Sequence, residues 1–294
     1  MYPNNYLKIS FMFFYVLFIS TGLHGQDRSS SYPYISGDTF RSFCDFIFDE
    51  TQQDFKPSAV KRGNTIFVKT DYLELFFSQI HPQIKKPYIL LTHNSDYPIP
   101  GKFSSFLDDN KILAWFGQNV EDFLHPKLHP IPIGIANRVW THGDVNIWNA
   151  MQPNAANISK DILLYMNFCI STKPDERTLV FNIFSDKPWC VVSAPKNYAA
   201  YLMDLGHSIF VLSPRGNGLD CHRTWEALLM GAIPIVKTST LDSMYKDLPV
   251  IIVKDWNIIT KEFLEHKYLQ ILSKNHKMEK IFADYWFNLI NSYR

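Results

Sequence analysis

Ser213-Pro-Arg-Gly-Asn-Gly-Leu-Asp-Cys-His-Arg-Thr-Trp-Glu-Ala-Leu-Leu-Met-Gly-Ala-Ile-Pro-Ile-Val236 is the stretch whose reading decides the fold. An apolar run, Ile209 to Leu212, leads into it, and a loop with one proline and two glycines follows. Leu219, Trp225, Leu228 and Leu229 then recur as the apolar positions of a helix, Gly231 stops it, and Ile233 to Val236 reads as another strand. The result is a β-loop-α-β unit whose polar side chains gather at the loop and the first helical turn. In open α/β sheets such a turn lies outside the carboxyl ends of the strands, where ligands bind. A helix N-terminus there offers unpaired N–H groups and a positive dipole end, which suit phosphate. Arg215, His222 and Arg223 add donors, and Glu226 adds a carboxylate one turn beyond Arg223. Arginines for a diphosphate and a carboxylate for ribose hydroxyls describe a nucleotide-sugar pocket. The competing reading makes Arg223 and Glu226 a surface pair at i,i+3 spacing. It leaves unexplained why so many polar and glycine positions share one turn.

Within this unit each residue type has its own reason. Ser213 opens the loop, and Arg215 and Arg223 are the bidentate phosphate donors. Gly216 and Gly218 let the backbone approach closely and reach conformations closed to other residues. Asn217 and Asp220 sit where a helix cap belongs, and Asp220 reads equally as a cap or a ligand contact. His222 reads equally as a contact to phosphate or leaving group and as a structural residue. Trp225 falls on the opposite helix face and belongs to the core, and Asp242, Ser243 and Tyr245 read as a capped, solvated turn.

The segment resembles the C-terminal region of exostosin-type glycosyltransferases, in which a Ser-Pro-Arg-Gly loop precedes Arg-x-x-Glu-Ala and a Gly-x-Ile-Pro-Val strand. Here those are Ser213 to Gly216, Arg223 to Ala227 and Gly231 to Val236. The likeness runs over roughly Phe210 to Trp256 and is faint before it. It implies an α/β fold of GT-B type, two Rossmann-like halves facing a cleft, with the donor held by the second half. It also implies sugar transfer from a nucleoside diphosphate to a hydroxyl of a glycan or glycoconjugate, with an inverting outcome favoured. The chain is shorter than the larger exostosins, which leaves the acceptor class open. The alternative is a catalytically silent glycan- or nucleotide-binding protein on the same scaffold.

A second constellation, Thr92-His-Asn-Ser-Asp-Tyr97, directly follows an apolar strand, Tyr88 to Thr92. In a GT-B cleft that edge faces the donor, and an inverting transfer needs a general base beside the acceptor hydroxyl. Asp96 is the first candidate and His93 the second. A simple Asn/Asp/Pro turn that caps its own backbone is the competing reading. Gln118, Asn119 and Asn137 follow later strands at the same edge and are candidates to contact acceptor hydroxyls.

Other chemistries find no support. The sequence lacks a Gly-x-x-x-x-Gly-Lys-Ser/Thr loop, a Gly-x-Ser-x-Gly elbow and an Asp-x-Asp motif. Pro126 spoils the spacing of His125 and His129 as a helical metal pair. No metal or other cofactor is therefore expected, with fixed cations stabilising the departing diphosphate. A net charge of +1 argues against a general nucleic-acid binder.

Residues 1–25 read as a signal peptide or an uncleaved signal-anchor, because the apolar run Ile9 to Ile19 is too short for an ordinary span. The expected location is the lumen of the secretory pathway, endoplasmic reticulum or Golgi, or a membrane-anchored position, and the envelope in a bacterium. Residues 26–145 form the expected acceptor-side half and 146–294 the donor-side half, with Trp140 to Asn157 as a polar linker and a final helix returning to the first half. Shorter expectations are a helix over Phe40 to Phe48, a helix over Asn119 to Leu124 and a helix opened by Pro195. Cys44 and Cys169 have apolar neighbours and read as buried thiols. Asn157-Ile-Ser159 is a glycosylation sequon.

Overall fold

A computed structural model describes residues 28–294, so the leader expected at residues 1–25 lies outside the described residues. Two five-stranded sheets, each wholly parallel, carry the chain. Parallel sheets bury both faces, and the strand sequences are accordingly apolar without alternation: Tyr88 to His93 is buried at every position.

The first sheet runs in chain order. It is preceded by α1 (Gly37–Phe43) and contains β1 (Phe46–Phe48), β2 (Thr65–Lys69), β3 (Tyr88–His93), β4 (Ile112–Gly117) and β5 (Leu128–Pro130). Between β2 and β3 the chain makes one distorted helical stretch that includes α2 (Leu73–Leu75) and ends at Gln83. Ser36 caps α1 by accepting from the Thr39 amide, as its position suggests. The helix stops at Phe43, however, and the residues expected to continue it form β1. Asp45 is the cause: its amide donates to Thr65 Oγ1, and its carboxylate accepts from the Thr65 amide, which starts a strand beside β2. The helix expected over Asn119 to Leu124 is absent as well. Asn119 and Asp122 take positive φ angles of 55° and 51°, and Val120 bridges to Ile99 instead.

The crossing between halves is not a loose linker. It holds α3 (Val145–Met151), capped by the Asp144 side chain, and a tight turn over Gln152–Asn157. Trp148 anchors it, fully buried, with its ring 5.9 Å from Tyr34 and 6.1 Å from Tyr198. One tryptophan supplies burial that the polar sequence around it does not advertise.

The second half contains β6 (Ile162–Met166), α4 (Pro174–Phe184), β7 (Cys190–Val192), α5 (Tyr198–His207), β8 (Ser208–Leu212), α6 (His222–Leu229), β9 (Ile233–Lys237), α7 (Asp242–Tyr245), β10 (Ile251–Val253) and α8 (Lys261–Leu272). Asn197, not Pro195, opens α5, accepting from the Ala200 amide. Gly231 ends the α6 turn with φ +70°, a left-handed conformation that costs glycine nothing. The strand order is β10-β9-β8-β6-β7, so the winding reverses between β6 and β8. This is a doubly wound, Rossmann-like unit, and with the first sheet it makes the GT-B-like arrangement of two halves.

α9 (Ala283–Asn291) then returns to the first half. Phe287 stacks on Phe43 of α1 at 4.1 Å, and Tyr293 packs edge-on against Phe116 of β4. The four cysteines are free thiols; Cys190 is buried, but Cys169 is exposed, contrary to its apolar neighbourhood. Among the described residues no helix is long and apolar enough to cross a membrane.

Candidate functional site

A cleft of about 1010 Å³ opens at the point where the second sheet reverses its winding. Asn167, Phe168 and Cys169 line it from the end of β6, and Gly216 to Gly218, Asp220 to Arg223 and Glu226 from the end of β8 and the start of α6. Asp96, Ile133, Thr141 and His142 close it from the other side. A ligand site at this switch point is what the winding of an open α/β sheet produces.

Two guanidinium groups dominate the floor. Arg223 donates from Nε to the Asn167 carbonyl at 2.8 Å, and its Nη1 is buried with no hydrogen-bond partner among the described residues. Arg177, on α4, donates to the Cys169 and Arg215 carbonyls at 2.7 and 2.9 Å. Both guanidinium carbons lie 5.6 Å from the Phe168 ring centre. Burial, then the neighbouring Arg223 charge, lower the pKa of Arg177. Two clustered cations, one with an unspent buried donor, call for an anion. Arg177 carries no motif signal: it sits inside an ordinary amphipathic helix, and only its 5% exposure singles it out.

Glu226 is also in the cleft and 4% exposed. The hydroxyls of Tyr198 and Tyr201 each donate to one of its oxygens at 2.8 Å. Burial, then the Glu226 charge, push both tyrosine pKa values up. Each carboxylate oxygen keeps a lone pair for a further donor. The two tyrosines lie on α5 at a spacing that reads as core packing, so sequence reasoning misses them. His222 lines the cleft as well, and its Nδ1 donates to the Gly134 carbonyl at 2.7 Å. In the neutral ring that bond leaves Nε2 as the acceptor.

Asn217 and Asp96 meet across the cleft, where Asn217 Nδ2 donates to Asp96 Oδ2 at 3.0 Å. Gly218 permits a close approach, since a Cβ there would lie 2.4 Å from Asn119 Nδ2. Neither Gly216 nor Gly218 has a positive φ, so the proximity of Arg177 and Asn119, and not a special backbone conformation, accounts for them.

Several expected site residues hold the halves together instead. Arg215 forms an ion pair with Glu121 of the first half at 2.9 Å and faces away from the main cleft, into a small polar pocket behind the loop. Asp220 touches the cleft but is consumed by four donors: the Ile133 and Cys221 amides, Trp225 Nε1 and the Tyr245 hydroxyl, at 2.8, 2.9, 2.8 and 3.1 Å. Burial raises its pKa while these donors pull it down. Ser213 is buried against the Thr224 hydroxyl at 2.8 Å. Tyr245 is buried, and Asp242 accepts from Thr238 and the Ser239 amide, the capped turn its sequence suggests.

His93 does not face the cleft. It is 2% exposed, its Nε2 donates to the Pro132 carbonyl at 3.0 Å, and its Nδ1 accepts from the Asn94 amide at 2.7 Å. Burial drives its pKa down to about 4. With both nitrogens engaged inside the protein, it cannot take a proton from an acceptor. The three acceptor candidates are internal too. Gln118 is buried beneath the edge, Asn119 accepts from the Asp220 amide at 3.2 Å, and Asn137 joins the Asp38 amide to Asn94 at 2.9 Å each.

Residues 166–291 match the RXYLT1 C-terminal domain. The match begins at the end of β6 and contains every donor-side cleft residue from Asn167 to Glu226. It bears out the exostosin-type resemblance in the C-terminal half. No curated protein matches the chain. Among solved structures, UDP-GlcNAc 2-epimerase from Methanocaldococcus jannaschii is similar at 12% identity over 74% of this chain and 73% of that chain, with a TM-score of 0.35. That likeness is too slight to carry an argument about function.

Proposed function

We propose that the chain is a metal-independent, inverting glycosyltransferase that moves a sugar from a nucleoside diphosphate to a hydroxyl of a glycan or glycoconjugate. The observation that carries the reading is the buried, unpartnered Arg223 Nη1 beside Arg177, in a cleft at the switch point of a doubly wound sheet. Two guanidinium groups offer forked donors to a diphosphate and keep stabilising it as charge develops on the leaving group. Glu226, held by its two tyrosines, accepts from ribose hydroxyls. His222, its tautomer fixed by Gly134, is placed to take the acceptor proton at Nε2. Asp96, on the facing wall, is the second candidate for that role. The exostosin-type relation and the apolar leader together favour a site of action in the secretory lumen or at a membrane.

Calorimetry with a panel of nucleoside diphosphates in EDTA tests this. One nucleotide binds the wild type, and Arg223→Ala weakens it roughly a hundredfold, the effect of leaving a diphosphate charge without its bidentate partner. No binding by folded wild-type protein would sink the proposal. Binding without transfer to any hydroxyl would support the silent-scaffold alternative.

A further inference from the structure

All seven tryptophans are described, and Trp140 alone is exposed, at 54%. It stands in an open strip, Arg138 to His142, at the rim of the cleft. Thr141 and His142 of this strip line the cavity itself. The Trp140 and His142 rings lie 6.2 Å apart and nearly parallel, at 22°, and the His142 ring is 6.4 Å from His222. The indole therefore continues the cleft wall outward from His222.

The strip is held rigid. The Trp140 amide donates to the Asn137 carbonyl at 2.9 Å, and the Gly143 amide donates to the Trp140 carbonyl at 2.8 Å. A Cβ at Gly143 would fall 2.0 Å from the Asn137 carbonyl oxygen, so the turn closes only around glycine. Asn137 in turn is fixed by Asp38 and Asn94. The backbone that carries the aromatic face is thus already ordered, which lowers the cost of binding.

We infer that Trp140 and His142 form the acceptor subsite, where a sugar ring lays its C–H face on the indole and turns a hydroxyl toward His222. The inference rests on the reading of the cleft as the site of transfer. A saccharide fits the chemistry, since it pairs an apolar ring face with a hydroxyl edge. The strip does the same, setting an indole beside the Thr141 hydroxyl and an imidazole. A protein partner would need a contiguous apolar area, but this strip alternates Arg138, Val139, Trp140, Thr141 and His142.

The test is saturation-transfer NMR on the full chain with methyl β-glucoside, methyl β-galactoside and methyl β-xyloside. The wild type saturates the protons of one ring face of at least one probe. Trp140→Ala reduces that signal roughly tenfold and Trp140→Phe retains part of it, the scale of one lost aromatic contact. Absence of saturation in the wild type, or an unchanged signal in Trp140→Ala, overturns the inference. Nucleoside diphosphate binding is measured on the same samples and stays intact in both variants. If no nucleotide binds even the wild type, the donor reading fails separately, while the saccharide signal still decides the platform.

Discussion

Asp220→Asn separates a ligand role from a structural one. Every group that meets the Asp220 carboxylate is a donor: two amides, one indole N–H and one phenol. An asparagine side chain has one acceptor oxygen, so its NH2 must face two of these donors. The better orientation sets the NH2 toward Cys221 and Tyr245, because the Tyr245 hydroxyl can turn and accept while the Cys221 amide cannot. One buried N–H is then orphaned, at about 1–3 kcal/mol, and the two surviving bonds lose their charge assistance, about 1 kcal/mol more. The expected loss is about 3 kcal/mol, or a fall in Tm of roughly 6–12 °C for a chain of this size. Differential scanning calorimetry and urea melts measure it, and nucleotide affinity well below the transition changes by less than about threefold, below 1 kcal/mol. An unchanged Tm combined with lost nucleotide binding would refute this reasoning and return Asp220 to the donor site.

Two further perturbations test the reassigned residues. His93 titrates at about 4 when folded, against 6.5 for the free side chain. Its contribution is therefore complete above pH 6.5 and is lost as pH falls toward 4, about 3 kcal/mol in all. Urea melts across that window should show a slope near one proton that His93→Asn lacks; parallel slopes would mean that His93 charges in the fold. Arg215→Ala breaks a pair whose side chains are 26% and 27% exposed, so stability falls by at most about 1 kcal/mol. Calorimetry should find nucleotide affinity within about twofold of wild type, whereas a tenfold weakening, about 1.4 kcal/mol, would place Arg215 on the diphosphate after all.

Strands with strong apolar pattern were legible: Tyr88 to Thr92 and Ile233 to Val236 appear where their residues predict them. β1 was not, because the Asp45–Thr65 clasp that ends α1 joins residues twenty positions apart. The helical crossing was not, because a single buried tryptophan anchors it. In the site, the glycine-rich loop located the cleft, but types of residue do not reveal which way a side chain turns. Arg215 and Asp220 bear the right chemistry for a ligand and spend it on the first half. Arg177, Tyr198 and Tyr201 arrive from other elements: α5 packs against α6 and brings its tyrosines to Glu226, while Arg177 reaches the cleft from α4 on the other face of the sheet.

The return of α9 carries a consequence for biosynthesis. Phe287 covers Phe40 and Phe43, and the Ala283 amide donates to the Pro33 carbonyl. The ribosome makes this cover only after the whole second half. Domains generally fold as they are synthesised, but the earlier half lacks this part of its aromatic cover until α9 is made. A fragment cut at residue 145 is for that reason an unfinished half and not a domain. Changes in α9 therefore act on a part of the chain made long before it.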